Sequence, residues 1–474
     1  MQRLLARLAA HAERQPHAVA LMDGATSLDY QSLWQQITDM VPQLQQWSTP
    51  EGAPLALAMD NQWQWVVVDL AAALAGIPLV PLPPFFTDAQ CQHVLADSGC
   101  VGVVYHADNQ ILCRKLEPLS RPVVLPSGCI KITYTSGTTG QPKGVCLSGA
   151  QLDATVAALA ERIHELSPTS HLCTMPLAVL LEDLAGIYLP LWLGKRIELC
   201  PLSELGLGNL QRPDPQQFLR RLAASQADSL ILLPATLGWL VAGVSAGVLS
   251  ASRWQLLAVG GGKCSLQILQ QAKALGLPVY EGYGLSEVGS VVALNAPSAH
   301  KAGSVGKPLD HIEVRLAPDG EVLLRGNAML GYLGQTEPAC EWLATGDLGQ
   351  WDEEGFLHIS GRKKSTIVTA FGRNVSPEWI EAELLALPGV LQAFVYGDEE
   401  QGVRALLFAP SLQASGQGDT LLLTANARLP AYARLGSWQF IDSPFSAATG
   451  ELTANGRLRR EQIRLRRIEQ EVMQ

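Results

Sequence analysis

Between residues 50 and 300 the hydrophobic period of the chain switches back and forth. Short apolar runs at residues 54–59, 101–105, 229–233 and 256–259 alternate with amphipathic stretches such as residues 211–226. A short apolar run reads as a strand buried on both faces, and a stretch with apolar residues every three to four positions reads as a helix covering it. Such strands run parallel and need long crossovers, because a tight hairpin would reverse the chain. The pattern therefore predicts βαβ units in a layered α/β body, with ligands at the C-terminal ends of the strands. After Gly303 the texture changes to short strands separated by turns: residues 313–316, Pro318-Asp319-Gly320, residues 321–325, then residues 351–359 around Glu354-Gly355. This predicts an antiparallel subdomain. From Gly361 a further α+β pattern follows, with a helix at 377–387 and strands near 391–397 and 403–409. A chain of 474 residues also exceeds what one hydrophobic core usually supports, so a large domain over 1–361 and a small one over 362–474 are expected.

With 47% hydrophobic and 16% charged residues the composition is that of a globular enzyme rather than a disordered chain. A net charge of -10, with no basic cluster in the first 360 residues, argues against nucleic-acid binding. Nine cysteines lie singly, with no Cys-x-x-Cys pair and no Cys/His cluster at metal-ligand spacing, and read as reduced thiols of a cytoplasmic protein. Residues 1–20 carry Arg3, Arg7 and Arg14 on an apolar-periodic stretch. They also contain Glu13 and lack a cleavage-like site, so they read as a first helix and not as a transit peptide. The most apolar stretch, 66–82, is cut by Gly76, Pro78 and Pro81, and no membrane span is expected.

The chemistry concentrates in Tyr134-Thr135-Ser136-Gly137-Thr138-Thr139-Gly140-Gln141-Pro142-Lys143-Gly144. Glycines let backbone N–H groups approach an anion, the hydroxyls of Thr135, Ser136, Thr138 and Thr139 add donors, and Lys143 adds charge. A loop of this kind can wrap phosphate oxygens, although it is not a Walker A loop, which needs Gly-Lys-Ser/Thr after four spacers. The segment resembles the phosphate-binding signature of the acyl-adenylate-forming superfamily, whose members join a carboxylate to ATP. Further matches follow in that family's order along most of the chain.

Tyr280-Glu281-Gly282-Tyr283-Gly284-Leu285-Ser286-Glu287 resembles the second core motif. The resemblance implies Tyr283 stacked on adenine, Gly284 and Ser286 beside the nucleotide, and Glu287 holding Mg2+. A purine offers a π-face to an aromatic ring, and Mg2+ needs hard oxygen ligands. Gly261 and Gly262, in the triplet after the 256–259 run, resemble the backbone that passes adenine and the acyl group. Thr345-Gly346-Asp347-Leu348 is similar to the motif whose aspartate grips the ribose hydroxyls, and Gly361-Arg362 to the next, whose arginine reaches ribose or phosphate. Lys364 falls at the family's hinge, about which the mobile small domain swings. Gly372, before Pro377, falls beside the family's pantetheine tunnel. The implied fold is a layered α/β large domain with a distorted β subdomain, plus a small α+β lid.

Two places depart from the family. Where the last motif ends in Asn-Gly-Lys, this chain has Asn455-Gly456-Arg457, and no lysine follows Lys364. Arg457 keeps the charge in a planar fork, which is not equivalent to an ammonium. The basic run Arg457, Arg459, Arg460, Arg464, Arg466 and Arg467 reads either as a docking surface for CoA phosphates or an acidic carrier protein, or as a solvated helix face. Small aliphatics follow Met175-Pro176, where many members carry an aromatic or histidine gate, which suggests an open apolar acyl pocket. Leu181, Leu184, Ala185, Ile187 and Tyr188 read as pocket lining or as core, and Glu182 and Asp183 leave an amine anchor open. The resemblance thus implies ATP- and Mg2+-dependent activation of a carboxylic acid, fatty or aryl, with Lys143, Glu287 and Arg457 catalytic, then transfer to CoA or an acyl carrier protein. The alternatives are an amino-acid-activating enzyme and a nucleotide-binding homologue without turnover.

Overall fold

The computed structural model describes residues 1–50, 52–117, 123–136, 142–209, 212–335, 341–369, 373–398, 402–453 and 456–469. The expected βαβ units are present. Six strands lie side by side and parallel, in the order Val279–Tyr283, Leu256–Val259, Ser229–Leu232, Ser170–Leu172, Arg196–Leu199 and Val19–Asp23. Short antiparallel strands extend both edges to nine. A second sheet of seven strands contains the parallel neighbours Leu79–Pro81, Leu55–Ala58 and Gly102–Ala107.

Local signals place the helices. Asp214 accepts from Gln216 and Gln217 amides ahead of Pro215, so the amphipathic stretch becomes the helix Pro215–Ala224. Ser148 and Gln151 form a reciprocal cap on Gly149–Arg162. The opening stretch forms the helix Gln2–Arg14, whose Leu4, Leu5 and Leu8 are buried. The largest core fills the space around the helices Tyr30–Trp47, Trp63–Ala75 and Gly149–Arg162, between the two sheets.

The antiparallel subdomain is a four-stranded sheet, Ile312–Leu316, Glu321–Gly326, Leu343–Trp351 and Leu357–Arg362. Beyond it, residues 367–463 build two cores of their own on the sheet Gln392–Asp398, Gly402–Phe408 and Leu435–Phe440. The helix begins at Pro377 as expected and ends at Leu385, two residues early, where Ala386 leads into the turn before Gly389. The larger difference concerns the phosphate-loop segment. Its ends are not loop: Cys129–Ser136 and Pro142–Ser148 pair as antiparallel strands, with Thr135 opposite Lys143. The glycines and hydroxyls of the segment read as loop and hid this, although Thr is at home in a strand. Among the described residues no helix is long and apolar enough to cross a membrane.

Candidate active site

Gly137, Thr138, Thr139 and Gly140 lie outside the described residues, as do Gly372 and Asn455. The flanks are informative. Lys143 projects from its strand with Nζ 5.5 Å from the centre of the Tyr332 ring. The Tyr332 hydroxyl donates to Glu287 Oε1 at 2.8 Å. Glu287 sits in the short 3-10 turn Ser286–Val288, and its carbonyl accepts from Met329 N at 2.7 Å. A concavity of about 220 Å³ is lined by Lys143, Tyr332, His93 and Asp97. Lysine and a half-buried carboxylate are therefore brought together through a tyrosine that the sequence reading did not single out. The hard carboxylate oxygens of Glu287 would suit a Mg2+ ion, and the neighbouring Lys143 would suit phosphate.

A second group forms around Asp347. Its Oδ2 accepts from the Tyr283 hydroxyl at 2.6 Å, and its Oδ1 pairs with Arg362 Nε at 2.9 Å. Burial raises the Asp347 pKa, against the lowering influence of Arg362 and Tyr283. The carboxylate expected to grip a diol is thus already held by two neighbours, with further acceptor lone pairs on each oxygen. Arg457, whose backbone N donates to Thr453 Oγ1 at 2.9 Å in the C-terminal body, lies near enough for its charge to act on Asp347. Although part of its surface faces solvent, crowding by protein atoms and the Arg362 charge lower its pKa, and Asp347 opposes them. Lys364 lies exposed in the turn Lys363–Ser365, directly after the last strand of the antiparallel sheet.

Two glycines are required by close approach. A side chain at Gly284 would overlap the Ser290 carbonyl, which lets the chain fold back just before Glu287. Gly261 has φ +77°, and a Cβ there would press on Leu233 Cδ2 at 2.9 Å. Gly262 follows it at the end of the parallel strand.

Of the residues read as pocket lining or core, Leu184, Ile187 and Tyr188 are fully buried in the main core and Leu177, Ala178 and Leu180 nearly so, whereas Val179, Leu181 and Ala185 keep partial exposure. Asp183 is no free amine anchor, because buried Lys131 bonds it and pairs with Asp69 Oδ1 at 2.8 Å. Glu182 is fully buried, and His171, Cys173 and Glu182 come within 4.8 Å of one another, a cluster that their spacing did not suggest. His171 Nδ1 meets Ser229 Oγ at 2.8 Å, and Nε2 lies 3.4 Å from Glu182 Oε1, so internal hydrogen bonds hold the group.

The basic run is also not a free surface. Arg460 pairs with Glu378 at 3.2 Å and Glu381 at 2.6 Å, Arg467 bonds Glu451, and Arg464 donates to the Gly397 carbonyl. Much of the charge that looked available for an acidic partner is used inside the small body.

The architecture, a layered α/β body followed by an antiparallel sheet and a small α+β body, is that of the adenylate-forming fold. It superposes on o-succinylbenzoate CoA synthetase (MenE) from Bacillus subtilis, solved in complex with the acyl-adenylate intermediate OSB-AMP. The TM-score is 0.77 over 96% of this chain and 97% of that one, at 22% identity. The same synthetase in complex with ATP and magnesium ion gives a TM-score of 0.76 over 97% and 99%, at 22% identity. The AMP-binding enzyme family model matches residues 8–130 and 120–333, and the chain belongs to that family. Among its relatives, feruloyl-CoA synthase from an Amycolatopsis species is 27% identical over 497 aligned positions, 95% of this chain and 97% of that enzyme. Long-chain-fatty-acid–CoA ligase FadD15 from Mycobacterium bovis is 43% identical over 154 residues, 31% of this chain. That match spans only 26% of the ligase, about a quarter of its length.

Proposed function

We propose that the chain activates a carboxylic acid with ATP, forming an acyl-adenylate and pyrophosphate, and then transfers the acyl group to a pantetheine thiol. The observation that carries this reading is the joining of Tyr283 and Arg362 at Asp347, beside the joining of Lys143 and Glu287 through Tyr332. In this reading Tyr283 packs on adenine and Asp347 accepts from the ribose hydroxyls. Thr135, Ser136, Gly137, Thr138, Thr139, Gly140 and Lys143 surround the β- and γ-phosphates, and Gly261, Gly262, Gly284 and Ser286 let the backbone lie along the nucleotide. Glu287 would hold Mg2+, which would supply charge neutralisation at the triphosphate. Arg457 stabilises the charge that develops on the α-phosphate as the carboxylate oxygen attacks, the P–O bond to pyrophosphate breaks and the acyl–AMP bond forms.

A fatty or aryl acid is the proposed substrate. The names of relatives that are CoA ligases and synthases support it, and the burial of Asp183 and Glu182 counts against both as an amine anchor. CoA is the proposed acceptor; a carrier protein is the second reading, weakened by the internal pairing of the terminal arginines. Eight described cysteines are free thiols, which suits a reducing cytoplasm. We also infer that residues 1–361 and 362–474 form separate domains joined at Lys364, a division supported by cores that do not merge across Arg362.

ATP–pyrophosphate exchange over a panel of fatty, aryl and amino acids tests the reading. Exchange is expected with an apolar acid. Measurable ATP binding with no exchange for any acid would instead mark a nucleotide-binding protein without turnover. Arg457→Ala should lower exchange ~100-fold, the usual cost of one preorganised donor, and Arg457→Lys should retain most of it. Exchange by Arg457→Ala at the wild-type rate would remove Arg457 from the mechanism.

A further inference from the structure

Tyr332 stands between two groups that act on the same triphosphate. Its strand, Gly331–Tyr332, pairs antiparallel with Pro142–Ser148, Tyr332 lying opposite Val145, two residues after Lys143. Leu333 N donates to the Gly144 carbonyl at 2.8 Å and Leu330 N to Cys146 at 2.9 Å, so the backbone on both sides of the tyrosine is bonded to the strand that carries the lysine. From this fixed base the ring lies under Lys143 Nζ, and the hydroxyl reaches Glu287 Oε1 at 2.8 Å. Glu287 is anchored to the same segment by its carbonyl, which accepts from Met329 N.

We propose that Tyr332 is a positioning residue that sets the orientation of the Glu287 carboxylate toward its metal and the placement of the Lys143 ammonium over the phosphates. The inference rests on the reading of Glu287 as the residue that holds a divalent ion. A carboxylate that accepts one fixed hydrogen bond on Oε1 has its remaining lone pairs aimed before the metal arrives, and loss of such a partner commonly costs 10- to 100-fold in affinity. The ring face attracts the ammonium independently of the hydroxyl. The two contributions can therefore be separated by substitution.

Mn2+ serves as the probe, titrated by electron paramagnetic resonance into the full chain with the non-hydrolysable analogue α,β-methylene ATP. Analogue binding is measured separately by calorimetry without metal. Tyr332→Phe removes one hydroxyl and is expected to weaken Mn2+ about 10-fold while metal-free analogue binding is unchanged. Tyr332→Leu is expected to weaken both, the analogue roughly 3-fold, because the face under Lys143 is gone. Glu287→Gln is the control. If it weakens Mn2+ and Tyr332→Phe does not, the role of Tyr332 is overturned and the metal reading stands. If neither variant changes Mn2+ affinity, the assignment of Glu287 itself fails, and the proposal with it. Thermal melts of each variant separate these results from a loss of folding, and Tyr332→Phe, which keeps the ring, decides the matter if Tyr332→Leu does not fold.

Discussion

Glu281, in the strand that ends at Tyr283, is buried and accepts from Gly303 N at 2.6 Å. Burial pushes its pKa up from 4.5 to about 7, against the lowering effects of that amide and of Lys263. An acid whose folded pKa is raised loses its proton first in the unfolded chain. Between the two pKa values the native state therefore holds more protons, and stability falls as pH rises through that window. The full effect, present above about pH 7, corresponds to roughly 3 kcal/mol at ~1.4 kcal/mol per unit. Glu281→Gln should flatten the fall in melting temperature between pH 5 and 7.5. An identical slope in both proteins would show that Glu281 titrates normally. At this scale the sequence was legible where separate motifs name residues that come together in space: Tyr283 and Arg362 both bond Asp347. Tyr332 was not, because its meaning comes from partners at positions 143 and 287, and nothing local to Leu330-Gly331-Tyr332 announces them.

The π-helical turn Asp183–Tyr188 owes its importance to a contact between elements. It presents Asp183 and Tyr188 to Lys131 on the strand Cys129–Ser136, and Asp69 on the helix Trp63–Ala75 completes the group. All four side chains are buried, and burial together with the Asp69 charge pushes the Asp183 pKa up to about 8. One ammonium thus holds three elements around carboxylates that have little access to water. Removing one partner of such a group strands the others, at a cost of ~3–5 kcal/mol. Lys131→Met should lower the denaturant midpoint accordingly, whereas a midpoint within error of wild type would show that the pairing is energetically neutral. Of the three elements, the apolar stretch 66–82 and residues 181–188 were singled out in the sequence. The network was not, since Lys131 lies within a strand pattern that says only which faces are buried. For the same reason the hairpin pairing of Thr135 with Lys143 was hidden: period 2 identifies strands but not their neighbours.

For the molecule as a whole, the contact that matters most lies away from the nucleotide residues. Glu383, on the helix Pro377–Leu385, inserts its carboxylate at the N-terminus of Leu266–Ala274. It accepts there from Leu266 N and Ser265 Oγ, each at 3.1 Å. The geometry is that of a helix cap supplied by another part of the chain, worth about 1 kcal/mol, and it is 7% exposed. Arg428 bonds Gln267 beside it. On the division proposed above, this cap holds the small domain where Arg457 can reach Asp347. Glu383→Ala should leave the melting of the large domain unchanged, raise the rate of proteolysis between residues 362 and 376, and slow adenylation more than it weakens ATP binding. Unchanged proteolysis would mean that the small domain is held elsewhere. The borrowed cap also binds the two halves as heritable units. Ser265 caps the helix from within through Gln267 N, and Glu383 adds a bond from the other half to both Ser265 and Leu266, so its loss is felt where the halves meet. A C-terminal half grafted from a relative without an acid at that place would bring its own catalytic arginine or lysine but arrive unmoored.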